Sequence, residues 1–287
     1  MAGLIKKADI GRVRSIDFDY KFVGDLNKIM ELLGITEAIP VQDGTSLKAL
    51  KVTGTLEDGT VAEGETIRLS KYQTEDVTVG EVVLKKWRKG TTAEAILKGG
   101  ENQAITATTN KMLRDIQKGI RTSFIGYLAN GTGLATGVGL QAALAAAWGQ
   151  LQVKFEDETI ESVYILNPLD VADYLATAQI STQTAFGMKY IEDFLGLGTV
   201  FLNSGVSQGT FYATAKENIK TYYVNTNGEM GQKFNLVSDE TGYIGMNESA
   251  NNTNATVENL VMSGVTFFPE MLDGIIVGTI ESASNPS

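Results

Sequence analysis

The stretch nearest to a chemical motif is Gly137-Val138-Gly139-Leu140-Gln141-Ala142. Its spacing is G-x-G-x-x-A, in which glycines let the backbone close on a pyrophosphate and a following helix turns its N–H groups toward it. Asp157 and Glu158 lie some way downstream, the kind of acid that meets a ribose. The pattern works only behind a buried parallel strand. Here GTGLATGVG (131–139) reads as a hinge-like linker after a long helix, so no cofactor is expected. The acids Glu156-Asp157-Glu158 have the oxygen chemistry of a hard-cation site but no Gly-centred ligand loop, and read as solvated charge. Glu192-Asp193 invites an acid/base reading, with nothing to indicate a cleft or a raised pKa. Lys85-Lys86-Trp87-Arg88-Lys89 is the one clustered basic run, and reads as a solvated strand end rather than a phosphate anchor. The N-x-S/T triplets opened by Asn130, Asn247, Asn251 and Asn254 read as turn and loop chemistry.

The residues that are missing narrow the chemistry further. The chain has 287 residues with no His and no Cys. Ser-His-Asp, Cys-His and HExxH sites are therefore excluded, as are disulfides and cysteine metal sites. With 43% hydrophobic and 20% charged residues it can build an ordinary core. Its 34 acids against 24 bases give a net charge of −10, opposed to tight nucleic-acid binding as a whole. MAGLIKKADI lacks a signal peptide's apolar core, and the longest apolar run, Leu140 to Trp148, is too short to span a bilayer. A soluble protein made in the cytoplasm, with no metal, cofactor or membrane, is expected.

The elements that must position these groups follow from periodicity. Residues 1–21 show no clear period and read as an extended arm. Phe22, Leu26, Ile29, Met30 and Leu33 then share one helical face, closed by Gly34. From Leu47 to Trp87 the chain is β-like: LKALKVTGTL and TIRLSKYQ flank EDGTVAEGE, and VTVGEVVLKKW follows. Val61, Ile67, Leu69 and Tyr72 place apolar groups on what reads as a projection, which predicts an arm packed on another chain. Thr91-Thr92-Ala93-Glu94 fits a capping box before a short helix broken at Gly99-Gly100. Ile105, Met112, Leu113, Ile116, Ile120, Phe124, Tyr127 and Leu128 predict one long amphipathic helix, with Asn110, Asp115, Lys118 and Arg121 on its polar side. An Ala-rich helix (LQAALAAAWGQLQVKF), a buried strand (VYIL), a helix capped by Asn167-Pro168, and further strands predict a small α/β domain over roughly 132–235. VENLVMSGVTFF and GIIVGTIE close the chain as strands joined by PEMLDG.

This order of parts resembles the major capsid proteins of tailed double-stranded-DNA bacteriophages. GTVFLNSGVSQGTFYATAKENI is similar to the strand–turn–strand–helix of that family's axial domain, and ENLVMSGVTFFPEMLDGIIVGTI to its closing peripheral strands. The resemblance covers nearly the whole chain and implies an α+β fold. Its parts would be an N-terminal arm with a short helix (1–46), an extended β-hairpin loop (47–90), a peripheral-domain spine helix (91–131), an inserted α/β axial domain (132–235) and returning peripheral strands (236–287). It implies a non-enzymatic shell subunit, found in the virion capsid after synthesis in the host bacterium, that self-assembles into pentamers and hexamers enclosing dsDNA. A portal and, since the arm begins almost at Met1, a separate scaffolding protein are the further partners expected. The extended loop would make the inter-subunit contacts, through Glu57, Asp58, Val61, Glu63, Glu65, Ile67, Arg68, Leu69 and Lys71. The competing readings are a small NAD-binding or carboxylate-dependent enzyme and, further off, a surface-layer or adhesive protein.

Overall fold

The computed structural model describes residues 7–35, 38–55, 57, 59–60, 66–100, 102–155, 160–177 and 182–281. The chain opens with a 26-residue helix, α1 (Lys7–Leu32), where the sequence predicted an extended arm to residue 21. The apolar stripe begins one turn earlier than periodicity alone located it: Phe18 is buried together with Phe22, Leu26, Ile29 and Leu33. Burial of that face, more than local propensity, makes the segment helical. Gly34, at φ 69, ends it in the left-handed conformation that glycine adopts without strain.

Next come β1 (Ala38–Val41), the long strands β2 (Thr45–Thr55) and β3 (Lys71–Val82), β4 (Lys85–Thr92) and the short helix α2 (Ala93–Gly99). The cap of α2 is Thr92, whose Oγ1 accepts from Ala95 N at 3.3 Å. Thr91, the cap expected from the sequence, stays in β4 because it pairs there with Val257. A π-helical turn (Asn102–Ala107) leads into α3 (Thr108–Leu128), whose 21 residues span about 32 Å at 1.5 Å per residue. Leu113, Ile116, Ile120, Phe124 and Leu128 are buried as the stripe predicted. Arg121 departs from its predicted polar face and donates to the Phe186 carbonyl, and burial pushes its pKa down.

The rest of the chain builds a seven-stranded sheet. In chain order its elements are β5 (Gly133–Val138), α4 (Leu140–Lys154), β6 (Ser162–Leu166), α5 (Pro168–Thr177), β7 (Gln183–Ala185), β8 (Met188–Ile191), β9 (Thr199–Leu202) and β10 (Thr210–Ala215). After β11 (Ile219–Val224) and α6 (Glu229–Lys233) come β12 (Ile244–Asn251), β13 (Thr256–Ser263), β14 (Thr266–Pro269) and β15 (Ile275–Glu281). The sheet order is β5-β15-β10-β6-β9-β8-β7. Alternation along β6 divides two cores. Val163 and Ile165 face α1 and α3, while Tyr164 and Leu166 face Leu144, Ala147 and Leu151 of α4 and Val171 of α5. Asn167 starts α5 as predicted, accepting from Leu169 N at 3.0 Å and tying its own amide to Val206 O at 2.7 Å.

Three sequence expectations change here. The supposed linker 131–139 is mostly strand β5, parallel to β15 at the sheet's edge. The glycines that disguised it are what admit it: a Cβ on Gly133 would stand 2.3 Å from Ile276, and one on Gly137 2.4 Å from the backbone of α4. KENI forms one 3₁₀ turn (Lys216–Asn218) and passes directly into β11, whose β-branched and aromatic residues favour a strand. Strand pairing also crosses the division drawn from the sequence. β11 joins a three-stranded sheet with β1 and β14, and β15 joins the seven-stranded sheet. A half-buried apolar alternation fits any sheet face, so neither partner was legible. A third sheet, β12-β13-β4, lies against α1 and beside α3.

Candidate assembly surface

Among the described residues, strands β2 and β3 pair only with each other, from Thr45↔Val82 to Thr55↔Lys71, with a bulge after Leu47. Eleven residues of β2 make a ribbon about 37 Å long at 3.4 Å per residue. Its base is anchored. Leu47, Ala49 and Val82 are buried against Val224 and Phe268, and Tyr127 packs edge-on to Phe268 at 5.4 Å. Asp43 Oδ1 accepts from Leu84 N at 2.7 Å and fixes the turn where the ribbon leaves the body.

Beyond Ala49 no described side chain of the ribbon is buried. Tyr72 lies over Gly54, where a Cβ would stand 2.5 Å from the ring, so the aromatic covers a strand position that has no side chain. The remaining support is weak. Lys48 meets Asp76 at 3.4 Å, Arg68 meets Glu57 at 4.0 Å, and Glu57 N donates to Ser70 Oγ at 3.0 Å. Exposed ion pairs of this kind contribute about 0–1 kcal/mol each.

Of the contact residues predicted from sequence, Glu57, Ile67, Arg68, Leu69 and Lys71 are all exposed on this projection. Asp58, Val61, Glu63 and Glu65 lie outside the described residues. The second strand begins at Lys71, the partner of Thr55, rather than at Thr66. Ile67 is 73% exposed, Leu69 94% and Tyr72 59%. Three large apolar groups thus stand in solvent on an arm without a core of its own.

Basic charge is concentrated in the segment that follows this arm. Between Lys85 and Arg121 stand nine of the 24 bases (five Lys in addition to Lys85, and three Arg) and only three acids, Glu94, Glu101 and Asp115. Part of that charge is used internally. Arg88 pairs with Glu258 at 2.6 Å, and hydrogen bonds from Arg88 and Asn251 hold the Glu258 pKa below its usual value. Lys85 reaches Ser123 at 3.3 Å, and Lys89 reaches Ile105 O at 3.2 Å and Thr108 Oγ1 at 2.6 Å. The run read as a solvated strand end is thus a strand clamped to α3. Lys111, paired with Asp115 one turn on, and Arg114 and Lys118 stay exposed on the outer face of that helix.

The chemical motifs resolve differently. Behind Gly139 there is, after all, a parallel strand before a helix, and a groove of about 810 Å³ opens there between β5, α5 and β15. Its lining includes Asp170 and Glu281 and no Lys or Arg. Gly139 N is already bonded to Glu281 O at 2.9 Å. Two carboxylates and an occupied N–H oppose a pyrophosphate. Glu192 and Asp193 are exposed beside a left-handed turn, Asp193 at φ 45. Glu156-Asp157-Glu158 lie outside the described residues. Among the described residues no three His, Cys, Asp or Glu gather to hold a metal, and no helix is long and apolar enough to cross a membrane. Sequence reasoning missed exposed Leu134 and Val138 on the free edge of β5, which only recognition of that strand could have located.

The chain combines a projecting two-stranded ribbon, a long amphipathic helix and a seven-stranded sheet with helices on both faces, and shares this fold with solved capsid and encapsulin structures. Among solved structures, the capsid of a native GTA particle superposes with a TM-score of 0.53, at 11% identity, over 98% of this chain and 93% of that one. The capsid of cyanophage A-1(L) gives 0.53 at 9% identity over 90% and 93%. The holo-SrpI encapsulin complex from Synechococcus elongatus PCC 7942 gives 0.51 at 10% identity over 89% and 90%. No protein-family model and no curated protein matches the sequence.

Proposed function

We propose that the protein is the structural subunit of an icosahedral bacteriophage capsid, assembling into pentamers and hexamers around packaged dsDNA. One observation carries the reading: the ribbon Thr45–Val82 is anchored at its base and unsupported along its length, on a fold that otherwise builds closed shells. A neighbouring copy supplies the support. Burying Ile67 and Leu69 there contributes about 1.5–3 kcal/mol for each side chain. Acids on the arm (Glu57, Asp58, Glu63, Glu65, Glu75, Asp76) complement the exposed bases of the neighbour's α3. Head-to-tail contacts of this kind close into rings, and many weak ones together give a durable particle. The ribbon Thr45–Val82 acts as the extended loop, α3 as the spine and the seven-stranded sheet with α4 and α5 as the axial domain, with a scaffolding protein and a portal as the other partners. The subunit is made in the host cytoplasm and ends in the virion.

Light scattering and electron microscopy of the purified protein test this. Megadalton shells, of irregular size alone and uniform with the cognate scaffold, are the expected result. A monodisperse monomer or dimer under all conditions, scaffold included, overturns it.

A further inference from the structure

Asp19 occupies an unusual place for a carboxyl group. It is 2% exposed on α1, between Phe18 and Phe22 of the buried stripe, so the helix cannot rotate it to water without lifting the core. Its Oδ1 has no hydrogen-bond partner. A buried carboxylate ordinarily has a cation or several donors beside it. Here the neighbouring charge is another acid, Asp239, in the loop before β12. Asp239 is itself fixed, with Oδ1 accepting from Thr241 N at 3.0 Å, Thr241 Oγ1 at 2.5 Å and Gly242 N at 3.2 Å. It cannot swing away.

Three of the described charged groups on and around α1 are engaged elsewhere. On the α3 side, Asp25 accepts from Gln117 at 2.8 Å. On β12, Glu248 accepts from Asn259 at 2.9 Å. Toward β8, Lys28 lies 5.8 Å from the Tyr190 ring. Among the described residues, Asp239 is the charge that acts on Asp19.

We propose that Asp19 is a protonation latch: α1 is seated firmly on the β12 sheet while this carboxyl is neutral and is loosened once it ionises. Burial first, and the Asp239 charge second, push the Asp19 pKa up to about 7 against one opposing hydrogen bond from the Asp239 backbone. The sign follows from linkage. With the folded pKa raised above the ordinary 3.8, the latch contributes fully below that value. The contribution declines as pH rises and is gone above about 7. Over that window the equilibrium for local opening of α1 rises by up to about tenfold per pH unit. The N-terminal helix is therefore tightest in acid and loosest at neutral pH. Nothing in this latch depends on a shell role.

Amide hydrogen exchange across residues 18–33, corrected for intrinsic rate and compared between wild type, Asp19→Asn and Asp239→Asn from pH 4 to 8, tests it. Relative to Asp19→Asn, wild-type opening should climb by about three decades and then level near pH 7. Asp239→Asn should level at lower pH with a smaller total change, and this variant tests the latch even if Asp19→Asn fails to fold. Parallel profiles for wild type and Asp19→Asn, or an Asp239→Asn curve superposed on wild type, overturn the proposal.

Discussion

Replacing Ile67 and Leu69 together by Asp abolishes particle formation and leaves the isolated subunit as stable as before. Both side chains are largely solvated in the single chain, and substitutions at such positions change stability by no more than about 0.5 kcal/mol. Against a neighbour the same exchange removes about 3–6 kcal/mol of apolar burial per contact. That weakens each contact by two to four decades, at about 1.4 kcal/mol per decade, before any repulsion from the added charge. Thermal melts of dissociated protein beside sedimentation of the assembled form check it. An unchanged melt with no fast-sedimenting material is the expected pair. A melt lowered by several degrees would mean that the arm folds back onto its own subunit.

Phe267→Ala fails in the opposite way. Phe267 is 1% exposed and stands in a chain of rings that joins the whole molecule. Phe22 of α1 meets Phe186 at 5.8 Å, Phe186 meets Phe267 of β14 at 6.3 Å, and Phe267 meets Phe124 of α3 at 5.7 Å. Phe186 itself sits in the turn between β7 and β8, held through its carbonyl by Arg121. Truncation leaves a cavity where four elements converge and costs about 3–5 kcal/mol. Domains of this kind have about 5–15 kcal/mol in total, so a large share of stability is lost. Urea titration of the dissociated subunit measures this. A loss under about 1 kcal/mol would show that the rings touch without sharing a core. Together the two variants separate folding from assembly: the first removes only shells, the second removes the subunit.

What the sequence disclosed follows from how local each signal is. The buried face of α3, the α5 cap at Asn167-Pro168 and the all-buried strand Ser162–Leu166 are set by neighbours within a few residues, and they were legible. The first turns of α1 were not, because Phe18 acts as a core residue only against elements far along the chain. β5 was hidden by glycines whose use is close approach to Ile276 and to α4, contacts absent from local sequence. The partners of β11 and β15 were equally silent, since alternation reports a face and not a neighbour. At the assembly surface, Ile67, Leu69 and Tyr72 could be found because bulky apolar groups stood in a stretch otherwise built of turn formers and acids. The Asp19–Asp239 pair could not, because nothing in either local sequence foretells the burial that brings them together.

Amide hydrogen exchange along Gly54–Thr55 and Lys71–Gln73, in dilute dissociated subunits and again in assembled particles, bears most directly on the idea that copies complete one another. Rates near those of an unstructured chain in the first state are expected, with slowing by at least about two decades in the second, the factor that ~3 kcal/mol of buried contact corresponds to. Equal protection in both states would mean that the ribbon needs no neighbour, and would contradict the account.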